Sequence, residues 1–333
     1  LTGALELDPS IVDGSILFNI DSEEEGIFYI GCAGGVTTIG NLEVEEESFP
    51  AGANSYQLQV TGFKGGHSGA EIHEDRGNAI SVAARIFRDI SVKTNVHIHD
   101  INGGGKHNAI PREIFISFTA ENPESIVDTI TKYSSFLKNE IGDLETNMSV
   151  KVVEESTLPK KVFTKDFSDR LLGILFSMPH GVIKMSRKVP GLVETSTNLA
   201  SVVLNNGNIQ IETSQRSSIM SENDEIADKV RTIMEAGGAA VHSESRYPSW
   251  EPDPDSNILK LFKNVYKREE GKDAEVMAIH AGLECGVIGD KLENMEMISF
   301  GPDMEDVHTP DEKLKISSVA AVWEFLLKIL KEV

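Results

Sequence analysis

The order of apolar runs in this chain predicts an α/β domain, split into residues 1–45 and 245–333, around a large inserted α+β lid domain spanning residues 46–244. Three observations carry that expectation. Residues 56–153 alternate strand and helix patterns as βαββαβ, the ferredoxin-like order. Loop-like composition at Phe49-Pro50-Ala51-Gly52-Ala53-Asn54, and again at Tyr247-Pro248-Ser249-Trp250-Glu251-Pro252-Asp253-Pro254, marks a boundary on either side of the insert. Beyond the second boundary helix and strand patterns alternate again.

Taken in order, Ser15–Ile20 is a short, largely apolar strand, and Asp21 stands where it ends. A polar turn, Ser22–Gly26, leads to a second strand at Ile27–Ile30. Tyr56–Val60 alternates with period two, as a half-buried strand does. Residues 78–90 place Ile80, Ala83, Ile86, Phe87 and Ile90 on one side of a helix. Strands at Asn95–Asp100 and Ile114–Thr119, a helix over 123–141 and a strand at Met148–Val153 complete the first unit. A less regular set follows: a helix over 165–178, strands near 181–185, 197–204 and 208–214, a helix over 222–236 and a strand at Ala239–Glu244. It repeats the order of elements without repeating residues. Residues 256–268 then form a helix with Ile258, Leu261, Phe262 and Val265 inward, and Glu275–Ile279 and Met295–Phe300 are strands. The last helix is expected to turn Ile316, Val319, Ala320, Trp323, Leu327 and Leu330 toward the core.

Apolar residues make up 40% and charged residues 25% of the chain, as in ordinary soluble globular proteins. Lys and Arg number 31 against 53 Asp and Glu, a net charge of −22. So acidic a chain repels nucleic acid and anionic membrane, and neither is expected as a partner. No apolar run approaches the ~20 residues that span a bilayer. Leu1-Thr2-Gly3-Ala4 has neither an initiator Met nor the regions of a signal peptide, and two cysteines, Cys32 and Cys285, are too few for a disulfide framework. A reducing cytoplasm is expected, with both thiols packed as small hydrophobes.

In α/β sheets ligands collect beyond the carboxyl ends of the strands. Asp21 follows one strand, His280 another, and His308 lies in the loop after a third. One carboxylate and one imidazole suit zinc, although a zinc site takes three or four ligands. Gly65-Gly66-His67-Ser68-Gly69 puts a histidine on a backbone that can approach a ligand closely. Each residue also has a plain structural reading. Asp21 also reads as a turn or cap residue, His308 as a surface-loop histidine, and His67 as a ring packed in a Gly-rich turn.

Ordered pieces along the chain nevertheless resemble one family. They are Asn19–Gly26, Gly31–Gly35, Gly65–Gly69 with Glu71-Ile72-His73, Asn108–Glu113, Val193–Ser196, His280–Gly286 and His308–Glu312. Together they are similar to the aminoacyl-histidine dipeptidases, which are also known as peptidase D or cytosolic non-specific dipeptidases. These belong to the zinc aminoacylases and carboxypeptidases.

The resemblance implies two zinc ions, with cobalt or manganese as alternatives, and hydrolysis of unblocked dipeptides, including those ending in histidine. By the same resemblance Asp21 and His308 are terminal metal ligands, and His67, on the lid, donates to the oxyanion that forms on the attacked carbonyl. The resemblance further implies that Asn108, Arg216 and Gly282 hold the substrate, Arg216 by its carboxylate; Asn108 reads equally as a turn residue, Arg216 also as a surface ion pair, and His280 is read as structural.

An upstream His-x-Asp and a Glu-Glu pair, which the family uses for the bridging ligand and the general base, have no counterpart in this sequence. The expectation is therefore an incomplete α/β domain with weak or no metal binding, inactive by itself. Two alternatives stay open: a non-catalytic lid or assembly module, and an aminoacylase or carboxypeptidase of the same family. A homodimer is a further expectation, unless the second half of the lid replaces a partner and keeps His67 working in its own chain.

Overall fold

Two sheets organise the chain, a small mixed one and a long antiparallel one. The computed structural model describes residues 2–121, 123–292, 294–307 and 310–333. In chain order the principal strands are β1 (Ile16–Asn19), β2 (Ile27–Cys32), β3 (Gly34–Glu43), β4 (Asn54–Thr61), β5 (Val96–Gly104) and β6 (Ile114–Ala120), then β7 (Ser149–Glu154), β8 (Val193–Asn205), β9 (Asn208–Ser217), β10 (Ala240–Tyr247), β11 (Glu275–Ile279) and β12 (Glu296–Ser299). The principal helices are α1 (Ala79–Lys93), α2 (Pro123–Ile141), α3 (Lys165–Ser177), α4 (Met220–Ala236), α5 (Asn257–Glu270), α6 (Glu284–Lys291) and α7 (Ile316–Ile329).

The long sheet runs β7-β4-β6-β5-β8-β9-β3-β10, with the short strand Gly181–Met185 also paired to β8. Its first half, β4-α1-β5-β6-α2-β7, has the spatial order fourth-first-third-second, that of a ferredoxin-like unit. The second half has the same order. Its elements are β3, α3, β8, β9, α4 and β10, so the first unit is inserted between the first strand and first helix of the second. The units meet second strand to second strand, through the antiparallel pairs Gly104 with Ser201, Gly103 with Val202 and Asn102 with Val203.

The expected division after residue 45 groups β3 with the small sheet, whereas its hydrogen bonds put it in the long one, paired with β9 from Gly34 to Glu43. Only Ala33 separates β3 from β2, so the chain changes sheets with no loop for composition to mark.

The long sheet packs one face against α1–α4, with Phe87, Phe118, Leu171 and Val230 at its centre. Asn78 starts α1 by accepting from the Ile80 and Ser81 amides, which otherwise lack partners in a first turn. In the small sheet, order β1-β12-β2-β11, the core is aromatic: Phe28, Phe262, Phe300 and Phe325 meet edge to face or stacked. The last helix is phased differently from the expectation. Val322, Phe325, Leu326 and Ile329 pack inward, while Ile316 is 85% and Trp323 58% exposed. Apolar residues surround α7 on every side, so periodicity alone does not select its buried face.

Candidate functional site

The loop that carries His67 runs from Phe63 to Asn78 and is held at both ends. Glu145, fully buried after α2, accepts from the amides of Lys64 (2.7 Å) and Gly77 (2.9 Å). Between them Gly65 and Gly66 have φ of 65° and 147°, conformations that a Cβ disfavours. Arg76 reaches back to the Gly65 carbonyl and to Glu71, whose carboxylate accepts from the His67 amide at 2.6 Å. Further pairing ties the loop to the segment after β5: Gly66 and His67 pair with Ile110 and Ala109, and the Ser68 amide donates to the Asn108 carbonyl at 2.9 Å. Asn108 therefore stands beside His67.

Three segments converge on Gly69. A Cβ there would lie 2.6 Å from the His280 carbonyl oxygen, 3.1 Å from the His67 ring and 3.3 Å from the Arg216 guanidinium carbon. His67 comes from the first lid unit, Arg216 from β9 of the second, and His280 from the end of β11 in the small sheet. The missing side chain is what lets them approach.

Arg216 is 8% exposed; one Nη donates to the Tyr247 hydroxyl at 2.8 Å, while Nε has no hydrogen-bond partner among the described residues. A buried guanidinium with a free donor is suited to an anionic group that arrives from outside. His280 is buried, its Nε2 2.7 Å from the Ser196 hydroxyl, and burial with Arg216 nearby pushes its pKa down to about 3. His67 is also held below the ordinary histidine range, by burial first and then by Arg216. Its Nδ1 accepts from the amides of Gly69 (3.2 Å) and Ala70 (3.0 Å).

A cleft of about 460 Å³ opens beside Gly69, lined among others by His73, Val193, His280, Tyr29 and Glu24. Tyr29 also lines a smaller hollow with Asp21, Ser22 and Leu283. Burial, then Glu24, Glu23 and Glu275, push the Tyr29 phenol up to about 12. This end of the cleft is acidic, while Arg216 stands behind Gly69, which lines the cleft.

Asp21 is exposed just past β1, its amide bonded to Asn19 Oδ1. Gly282 lies in the loop between β11 and α6, two residues beyond His280. His308 lies outside the described residues. Among the described residues no three His, Cys, Asp or Glu side chains are grouped as a metal ion requires, so those donors do not by themselves amount to a metal site. Sequence reasoning missed Tyr247 and the meeting at Gly69. A signal for Tyr247 existed: Gly34-Gly35 within a strand marks a close approach, and a Cβ at Gly35 would lie 2.6 Å from the Tyr247 hydroxyl.

The fold is that of the M20 peptidases: residues 52–141, nearly the whole of the first lid unit, match the family model described as a peptidase dimerisation domain. Over its full length the chain is 35% identical to the cytosol non-specific dipeptidase of Escherichia coli (strain K12), of which it spans 69%. The crystal structure of aminoacylhistidine dipeptidase from Vibrio alginolyticus matches with a TM-score of 0.94 at 35% identity, covering all of this chain and 68% of that one. The chain belongs to this dipeptidase family, whose members are metallopeptidase hydrolases. No helix among the described residues is long and apolar enough to cross a membrane.

Proposed function

We propose that this chain grips and polarises an unblocked dipeptide, including Xaa-His, for zinc-dependent hydrolysis. The observation that carries the reading is the convergence of His67, Arg216 and His280 around Gly69. Arg216 takes the substrate carboxylate on its free Nε, braced by Tyr247. Asn108 and Gly282 hold the backbone, and His67 donates to the carbonyl oxygen as negative charge develops on it. The acidic wall at Glu24 and Tyr29 suits the free ammonium of an unblocked substrate.

Zinc is the proposed metal, with Asp21 and His308 as this chain's ligands and cobalt or manganese able to substitute. One carboxylate and one imidazole fall short of the three or four ligands zinc takes, so this chain alone is proposed to bind metal weakly and not to turn substrate over. The test is hydrolysis of alanyl-histidine by the 333-residue chain with and without added zinc. No turnover is expected; robust zinc-dependent turnover would overturn the reading.

A second element of the reading concerns assembly. The β5 edge of the dimerisation-domain unit is already taken by β8 of the same chain, and Arg216 of that second unit lies beside the same Gly69 as His67. His67 is therefore proposed to act in its own chain, a homodimer using another surface. The cytoplasm is the proposed location.

A further inference from the structure

We infer that the backbone amides of Gly69 and Ala70 are a tautomer lock: they hold His67 as a neutral ring with its proton on Nε2, so that it meets substrate only as a hydrogen-bond donor. The inference rests on the donor role proposed above and deepens it.

Two N–H groups point at one ring nitrogen. Gly69 N lies 3.2 Å and Ala70 N 3.0 Å from His67 Nδ1. A ring nitrogen that receives two donors has to offer its lone pair, and in a neutral imidazole the proton then belongs to the other nitrogen. Protonating Nδ1 would set its new N–H against both amides, which adds to the cost of charging the ring. The surroundings act in the same direction. Arg216, from β9, and His107, from the segment after β5, both disfavour a charged ring, and burial exceeds either; Glu71, in the loop itself, opposes them. The ring is thereby held below the ordinary histidine pKa of about 6.5.

The geometry also explains the spacing of the motif. Glu71 Oε2 fixes the His67 amide and Gly69 brings its own amide under the ring, while the space a Cβ would fill there belongs to the His280 carbonyl. The turn that positions the ring thus also sets its protonation state. A charged His67 would compete with Arg216 for the substrate carboxylate; a neutral Nε2–H donor leaves that group to Arg216 and stays available to a developing oxyanion. The proton remains on the ring throughout.

The test is a long-range 1H–15N correlation spectrum of the imidazole nitrogens in the 333-residue chain, with His67 assigned from the signals that vanish in His67→Gln. The expected pattern is an unprotonated Nδ1 and a protonated Nε2, with the ring already more than half neutral at the ordinary histidine pKa of about 6.5. A proton on Nδ1, or a ring mostly charged at that pH, overturns the inference. Ala70→Pro, which removes one of the two donors, is expected to populate the other tautomer; where that variant fails to fold, the spectrum of the unmutated chain decides by itself. The spectrum is read without substrate, so the lock and the donor role fail separately. A ring protonated on Nε2, in a chain whose His67→Ala variant binds a phosphinic dipeptide analogue as tightly as before, keeps the lock and removes the role.

Discussion

Replacing Glu145 by Ala is expected to loosen the His67 loop more than any other single change outside it. The carboxylate is 1% exposed and accepts from Lys64 N and Gly77 N, the two ends of the loop. Alanine leaves two amides without that acceptor. A hydrogen bond to a charged group contributes about 1.5–3 kcal/mol, so losing both destabilises the first lid unit by roughly 3–5 kcal/mol after partial access of water. Gln keeps one acceptor oxygen, and Glu145→Gln is expected to cost about half as much. Urea unfolding followed by circular dichroism gives the global effect. Native-state hydrogen exchange at Lys64 and Gly77 gives the local one, with acceleration of about a hundred-fold or more. An Ala variant with an unchanged midpoint and unchanged protection at both amides would show that Glu145 does not hold the loop.

Further expectations concern the other contacts of the site. Tyr247→Phe removes the hydroxyl that braces Arg216 and leaves a buried donor unpaired; dipeptide affinity by calorimetric titration should fall several-fold, and urea unfolding should show a loss of about 1–3 kcal/mol. His280, 6% exposed with its pKa near 3, binds a proton in the unfolded chain below about pH 6.5 but not in the folded one. Stability should therefore rise with pH between about 3 and 6.5, and His280→Gln should remove about 2 kcal/mol of the loss at pH 5; parallel stability–pH curves for the two proteins would refute the assignment. Gly104 sits at the seam of the lid units with φ of 73°, where a Cβ would collide with the Ala200 carbonyl oxygen. Gly104→Ala should cost at least about 2 kcal/mol by urea unfolding and Gly105→Ala, in open space, well under 1. Mixing His67→Ala and Arg216→Met chains should restore no dipeptide binding, since both groups act within one chain; recovery would place them on different subunits.

Much of this was legible in the residues because local pattern and burial agree. Strict alternation at Tyr56–Val60 and the apolar side of 78–90 specified β4 and α1, and the element order alone gave the first ferredoxin-like unit. The second unit was harder, since its first strand, β3, lies before the whole of the first unit and directly after β2. Element order read in sequence does not show a strand borrowed from across an insertion of that length. In α7 the opposite problem arises: the helix is apolar all round, and the pattern offers two faces where packing uses one. Among candidate site residues, His67 and Arg216 were suggested by the family resemblance, and both lie beside Gly69. For Tyr247 the pair Gly34-Gly35 marks only that something approaches closely; which residue does so depends on the pairing of β10 with β3, a non-local fact.

The measurement closest to the central claim is a 1H–15N titration of the chain with alanyl-histidine, following the Gly69 amide and the Arg216 Nε–H. A dipeptide gripped where three segments meet should shift both signals together and saturably, and Arg216→Met should abolish the Gly69 shift. Signals that stay in place at millimolar dipeptide, or a Gly69 shift that survives loss of Arg216, would contradict the account.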